Sequence, residues 1–386
     1  MNILFIHHGK GIGGAPLSLL NLLKELKNHG YKLKVLFIYD SDVVNLFREE
    51  KIELEVLNQK FYKYFYKYYG HSEAGYYKWF QLLAQSWRLI SWLLSAFYFT
   101  KKILKKENPD ILHLNSSVLT DWCLASRNIK AKKIIHIREP LAKGYFGIRR
   151  NIIRYIYSKY CDHIIAISKD NLERVNLPAK SSLVYNTIDF KIFNFKKCAV
   201  YHCDDHFKLL YLGGLHKAKG FNILVDALKY LDHNIQIIFC GYYSDSSWIK
   251  LLFSKMHKKL KIAKGLENVK ILGVVNDIQN IMAKVDLVIF PATIPHFARP
   301  IIEAGAMGKP VIASDLPGME ELVINNETGL LVEPNNPKSL AISINELCRD
   351  QARCKKLGEN GYKRAMELFT VQVAVKKIMD IYESVL

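Results

Sequence analysis

Two glycine-bearing loops carry the residue types best suited to hold an anion. The first is His7-His8-Gly9-Lys10-Gly11-Ile12-Gly13-Gly14-Ala15-Pro16, which runs straight into the helical stretch LSLLNLLKEL. Glycines let a backbone approach a ligand closely, and a helix start offers unpaired N–H groups to negative charge, so Gly13 and Gly14 are candidates for an acceptor or phosphate loop. Two other readings fit the same residues. One is a dinucleotide fingerprint, with Asp40 at the end of the next apolar run as the ribose-binding carboxylate; the other is a tight turn. The second loop, Gly213-Gly214-Leu215-His216-Lys217-Ala218-Lys219-Gly220, precedes FNILVDALKYL. Lys219 there puts a cation beside a helix start, which suits a diphosphate whose charge grows as it departs. The competing reading is a solvated lysine.

Three other groupings invite chemistry and are better explained without it. Asp40-Ser41-Asp42 spells a metal-binding pattern, but its place after a strand fits a loop cap. Cys198, His202, Cys203 and His206 lack the spacing of a zinc ribbon or finger and read as a linker, so no metal site is expected. The aromatic and basic run FYKYFYKYYG at 61–70, with WFQLLAQSWRLISWLLSAFYFTKKILKK at 79–106, has an uncharged apolar centre of only eleven residues, Leu89 to Phe99, with Arg88 before it and four Lys after. That is too short for ~30 Å of hydrocarbon. An interfacial helix and a helix buried against a sheet both remain open.

The elements that must position these loops recur along the chain. Apolar runs at 2–8, 32–40, 110–117, 133–139 and 163–168 alternate with helical stretches, and the pattern restarts with FKLLYLGG, IQIIFCG, VKILGVV, LVIFPA and VIASD. Continuous apolar strands alternating with helices imply parallel sheets covered on both faces. The reading is α/β, with two Rossmann-like halves, 1–194 and 195–386, joined by a polar stretch at 194–208. A cleft between them is expected to hold the chemistry, with functional residues just after the strands.

Of the 386 residues, 55 are Lys or Arg and 36 Asp or Glu. Residues 1–194 hold 30 of the basic and 16 of the acidic ones, so the excess is concentrated in the first half. Phosphate-bearing substrates or an anionic membrane surface suit such a balance; no basic reading module for nucleic acid appears. Seven scattered cysteines and the absence of an apolar leader point to a cytoplasmic protein, with peripheral attachment to the inner membrane face as an extension.

The stretch LVIFPATIPHFARPIIEAGAMGKPVIASDLPGMEEL at 287–322 is similar to the retaining glycosyltransferases of the fourth family, which have the GT-B fold. GGAPLSLLNLLKELKNHGYKLKVL, DHIIAISKDNLERV with VYNTIDFKIF, LGGLHKAKGFNILVDAL, NVKILGVVNDI and TGLLVEPNNPKSLA also look like that family. The resemblance implies two Rossmann-like domains facing across a cleft, acceptor binding by 1–194, nucleotide-sugar binding by 195–386, and a last helix at about 370–386 that packs back on the first domain. It implies a hexosyl-type transferase using a UDP- or GDP-linked donor and a glycan or lipid-linked acceptor, in cell-surface polysaccharide or glycolipid synthesis, with no cofactor or metal.

In that family a Glu-x7-Glu motif enters a helix, its second Glu gripping the ribose and its first reaching the sugar. The second corresponds to Glu303, whose two oxygens suit two ribose hydroxyls. The first position holds Pro295. Phe297, Ala298 and Arg299 match the loop that aims N–H groups at the sugar and diphosphate. Gly213 and Gly214 match the phosphate loop, where Gly214 takes the place of a common Arg and Lys219 is retained. His136 matches a histidine set against the transferring sugar, with Arg138 as a phosphate or acceptor contact; a buried strand histidine is the plainer reading. Two rivals follow: a catalytically weakened, sugar- or partner-binding homologue, motivated by Pro295 and Gly214, and an NAD-dependent oxidoreductase built on the first loop and Asp40.

Overall fold

The computed structural model describes the chain except residues 10–13, 68–81, 196–205, 242–254 and 296, and except the side chains of 82–85, 145 and 255–257. Gly13, Cys198, His202 and Cys203 therefore lie outside the described residues. The chain forms two compact units, Met1–Thr187 with Val371–Leu386, and Ile188–Thr370. Residues 188–194, which the strand periodicity groups with the first half, cluster with the second unit. There Phe190 and Phe195 pack on the ring of Tyr362.

The first unit is built on seven strands: β1 (Asn2–His7), β2 (Lys32–Phe37), β3 (Leu54–Val56), β4 (Ile111–Leu114), β5 (Lys132–Ile137), β6 (His163–Ala166) and β7 (Ser181–Leu183). Their order is β3-β2-β1-β4-β5-β6-β7 and every pairing is parallel. β1 and β4 are buried almost throughout because helices cover both faces, which is why they read as unbroken apolar runs. On one face lie α1 (Gly14–Asn28), α2 (Asp42–Glu49) and the C-terminal helix Val371–Val385. That last helix buries Ala374, Val375, Ile378, Ile381 and Tyr382, a helical stripe, in the core around Ile3 and Phe5.

The opposite face is covered by a continuous helical stretch, α3 (Leu82–Leu94), a π-helical turn Ser95–Phe99 and α4 (Thr100–Glu107), together with α5 (Thr120–Ala125) and α6 (Ile148–Tyr160). A helix α7 (Lys169–Val175) follows β6, started by Ser168, whose hydroxyl accepts from Asn171 N.

The second unit repeats the plan. Its strands β8 (Phe207–Tyr211), β9 (Ile235–Cys240), β10 (Val269–Gly273), β11 (Leu287–Phe290), β12 (Val311–Ser314) and β13 (Leu330–Val332) run in the order β10-β9-β8-β11-β12-β13, again all parallel. Its helices are α8 (Phe221–Ala227), α9 (Lys255–Lys264), α10 (Ile278–Ala283), α11 (Arg299–Ala306), α12 (Pro337–Arg349) and α13 (Gln351–Leu368). In both sheets the order reverses beside the first strand, between β1 and β4 and between β8 and β11. Such switch points are where open α/β sheets bind ligands, beyond the strands' carboxyl ends.

A buried polar knot ties the helical layer of the first unit. The Asp121 carboxylate on α5 accepts from Tyr66 Oη and Ser95 Oγ, and Tyr62 Oη meets Thr100 Oγ1 at 2.6 Å. Burial pushes the Asp121 acid up to about 6, against the pull of those hydrogen bonds. An acid whose folded pKa lies above its unfolded value of 3.8 contributes stability that is present below 3.8 and lost as pH rises through about 6. Asp121→Asn removes that dependence. Its unfolding free energy relative to the native chain is expected to improve by about 2 kcal/mol between pH 4 and pH 7 in denaturant titrations; a difference constant with pH contradicts a buried, ionising Asp121.

Candidate functional site

At the switch point of the second unit two loops meet. The loop after β8 carries Gly213 through Gly220 and the loop after β11 carries Pro291 through Ala298. They are stitched by Thr293 N donating to Ala218 O at 3.0 Å and Thr293 Oγ1 donating to Lys217 O at 3.2 Å. Gly220, at φ +84°, lies so close to the second loop that a Cβ would sit 1.7 Å from Pro291 O. A Cβ on Gly213 would fall 1.9 Å from the hydroxyl of Tyr211, which donates to Gly214 O. Gly214 has φ +56°, a conformation that disfavours residues with a side chain.

These loops hold two charged groups in unusual surroundings. Lys219 is half-buried and its side chain makes no hydrogen bond or ion pair among the described residues; burial lowers its pKa. Glu303, one turn into α11, is 8% exposed and its Oε1 accepts from Arg299 Nε at 2.8 Å. Burial raises the Glu303 carboxyl, partly offset by Arg299. No side chain caps the start of α11 at Ala298, and Pro300 fills its first turn. A cation with no ion-pair partner among the described residues, on a loop joined to the one that leads into a held carboxylate, fits a ligand that is anionic at one end and rich in hydroxyls at the other. The structure thus brings Gly213, Gly214, Lys219, Ala298, Arg299 and Glu303 to one switch point, with Phe297 in the same loop.

The first unit presents a different chemistry at its own switch point. Arg138, just past β5, is buried; its Nε donates to Asn115 Oδ1 at 2.7 Å, Nη1 to Asn186 Oδ1 at 2.6 Å, and Nη2 lies 3.3 Å from His136 Nδ1. A guanidinium only donates, so His136 Nδ1 accepts and the ring proton sits on Nε2. Asn115 accepts through Oδ1, leaving its amide nitrogen to donate to His7 Nδ1 at 3.3 Å, which places the His7 proton on Nε2 as well. His113 completes the chain. Its Nε2 lies 3.3 Å from His136 Nδ1 and its Nδ1 lies 2.8 Å from Tyr382 Oη, so Tyr382 donates to His113 and His113 to His136.

All three histidines are held neutral, mainly by burial and then, for His113 and His136, by Arg138; His113 is pushed down to about 3. The Nε2 atoms of His7 and His136 have no partner among the described residues. Two buried N–H donors therefore stand at the ends of β1 and β5. Arg138, expected to meet phosphate or acceptor, directs Nε, Nη1 and Nη2 to Asn115, Asn186 and His136. Gly14 is the first residue of α1.

The sequence reading missed His7, His113, Asn115, Asn186 and Tyr382 as one cluster. Polar residues at the ends of apolar strand runs were the available signal, but no spacing links Tyr382 to His113. Asp40 lies past β2, and Ser41 stands at the start of α2, its hydroxyl donating to Gly9 O and making no cap to the helix itself. Among the described residues no group of three or more His, Cys, Asp or Glu could hold a metal.

Two parallel-sheet units, each with polar groups gathered at its switch point, define a GT-B protein of two Rossmann-like domains. The family model for glycosyltransferase family 4 matches residues 12–191 and that for glycosyl transferases group 1 matches residues 199–364. The chain belongs to this family of glycosyltransferases. It is 27% identical to an uncharacterised glycosyltransferase of Methanocaldococcus jannaschii, over 96% of this chain and 95% of that one. It is 25% identical to the capsular polysaccharide biosynthesis glycosyltransferase CapM of Staphylococcus aureus, over 68% and 72%. Among solved structures, Anabaena HepE in complex with UDP and glucose superposes with a TM-score of 0.79 at 21% identity, covering 100% of both chains. The oxidoreductase alternative finds no support in these matches.

The proton positions are testable directly. In ¹⁵N spectra of the imidazoles at pH 7, His7, His113 and His136 are expected as neutral Nε2–H tautomers. Tyr382→Phe strips His113 Nδ1 of its donor, and the cost is expected at about 1–3 kcal/mol in urea unfolding. A native His136 carrying its proton on Nδ1 contradicts the network.

Proposed function

We propose that the chain is a retaining hexosyltransferase that moves a sugar from a UDP- or GDP-linked donor to a glycan or lipid-linked acceptor in cell-surface polysaccharide or glycolipid synthesis. The observation that carries this reading is Lys219, a half-buried cation whose side chain has no ion-pair partner among the described residues, on the loop joined to the one leading into Glu303. The UDP and glucose in the HepE complex and the capsular role in the name of CapM support it.

In this reading the second unit binds the donor. Glu303 Oε2 accepts from the ribose while Arg299 fixes Oε1, and Gly213, Gly214 and the start of α11 offer backbone N–H groups to the diphosphate. The bond from the sugar's anomeric carbon to the diphosphate breaks as the bond to the acceptor oxygen forms on the same face. The acceptor's proton passes to a departing phosphate oxygen, and Lys219 neutralises the charge that develops there. His136, and His7 beside it, donate from Nε2 to oxygens of the sugar or acceptor. No side chain acts as nucleophile, so catalysis is positioning plus electrostatics. Lys219 performs the charge neutralisation without a metal, and turnover is expected to persist in EDTA.

Stabilisation by UDP, GDP, ADP and CMP identifies the base, a ligand at one hundred times its Kd adding about 2.7 kcal/mol. With the donor known, Lys219→Ala is expected to lower kcat by about 10² or more with a smaller change in KM. Glu303→Ala is expected chiefly to raise the donor KM, because the ribose contact is made in ground and transition states alike. The reverse split contradicts these roles. Nucleotide binding with no turnover of any nucleotide sugar instead supports a binding protein descended from the enzymes, the reading that Pro295 and Gly214 motivate.

A further inference from the structure

The helical layer of the first unit exposes apolar side chains that its fold does not use. Trp87 (43% exposed), Ile90, Leu93, Leu94 and Phe97 (52%) project from the stretch α3 to Phe99, at helical spacing. The opposite side of the same stretch is anchored inward, where Trp92 Nε1 donates to Thr120 Oγ1 and Ser95 to Asp121. In the same layer α6 exposes Ile148, Ile152 and Tyr155, preceded by Phe146 at 97% exposure. Scattered exposed apolar residues need no explanation, but stripes on successive helices do.

The charge around these stripes has one sign. Residues 59–67, 82–106 and 140–160 contain no Asp or Glu, while Lys or Arg recurs through each. Basic groups ride on the exposed rings: Lys102 Nζ lies 4.1 Å from the Tyr98 ring centre and donates to its hydroxyl, the Arg127 guanidinium lies 5.0 Å from that of Phe97, and Lys159 lies 5.6 Å from that of Tyr155. An open groove of about 400 Å³ beside the stripe is lined by Lys60, Lys102, Lys106 and the stacked rings of Phe61 and Phe99. Its two acidic residues, Glu55 and Glu107, are both bonded to Lys34. Neither of these carboxylates pairs with a lysine of the groove among the described residues.

We propose that this layer is a membrane-docking face that seats on the headgroup region of an anionic phospholipid bilayer, the apolar stripe entering the acyl boundary and the lysines meeting lipid phosphates. Apolar rings with basic groups at their edges match that boundary, where rings bury and cations stay with phosphate. No helix among the described residues is long and apolar enough to cross a membrane, so the attachment is interfacial. The inference goes beyond the transferase reading and does not depend on it.

The test is sedimentation of the full chain with vesicles of phosphatidylglycerol and phosphatidylcholine, against phosphatidylcholine alone. Binding to the anionic vesicles is expected at 50 mM salt and is expected to weaken at least tenfold at 500 mM, because each lysine near an anionic surface contributes about 1 kcal/mol that salt screens. Lys102→Glu with Lys106→Glu, both surface changes, and separately Leu94→Ser with Phe97→Ser, are each expected to reduce partitioning tenfold or more while nucleotide-sugar hydrolysis in solution is retained. Native protein that stays in the supernatant with anionic vesicles at low salt overturns the proposal. So does a stable dimer in light scattering that the Leu94→Ser, Phe97→Ser pair dissociates, since the stripe is then a contact between copies.

Discussion

A parallel sheet covered on both faces leaves polar side chains almost nowhere to go except beyond the carboxyl ends of its strands, and this restriction shapes both units. Phe5, Leu112, Ile135, Leu210 and Ile289 are fully buried in mid-strand, where any unpaired polar group is costly. The polar groups collect instead where the strand order turns back. In the second unit the result is Lys219 and Glu303 on loops that touch; in the first it is a set of neutral histidines around one arginine. Each collection retains hydrogen-bonding or charge capacity that the protein itself does not consume, and that surplus separates a binding site from a buried polar network.

The two sites solve the problem of burial differently. Glu303 keeps a carboxylate in a buried position by pairing one oxygen with Arg299, so its geometry is set before any ligand arrives. Arg138 sets proton positions. By donating in fixed directions it decides which nitrogen of His136 and, through Asn115, of His7 carries the proton. The C-terminal helix takes part through Tyr382, which couples the packing of that helix on the first unit's core to the orientation of His113. Preorganisation of this kind lowers the cost of ordering donors when substrate binds.

Much of this was legible because the physics is local. Long apolar runs announced the central strands, and glycines before a helix announced the tight loop between β8 and α8. The spacing of Arg299 and Glu303, one helical turn apart, made their pairing readable in principle. What escaped was set by distant contacts. β3, β7 and β13 are three-residue edge strands whose sequences carry no period, and they exist because a neighbouring strand offers a free edge. Tyr382 and His113 are brought together only by the return of the last helix. Phe190 and Phe195 moved the boundary of the second unit by packing on Tyr362, a contact no linker composition could signal.

The central claim is that the Lys219 side chain, which has no ion-pair partner among the described residues, is completed by a nucleotide's diphosphate. Calorimetric titration of the native chain and of Lys219→Met with a nucleoside diphosphate, and with the same nucleoside lacking phosphates, isolates that contribution. The account predicts that the diphosphate binds the native chain much more tightly than the nucleoside does, that Lys219→Met removes most of this difference, and that nucleoside affinity is unchanged. A diphosphate preference that survives intact in Lys219→Met contradicts the account.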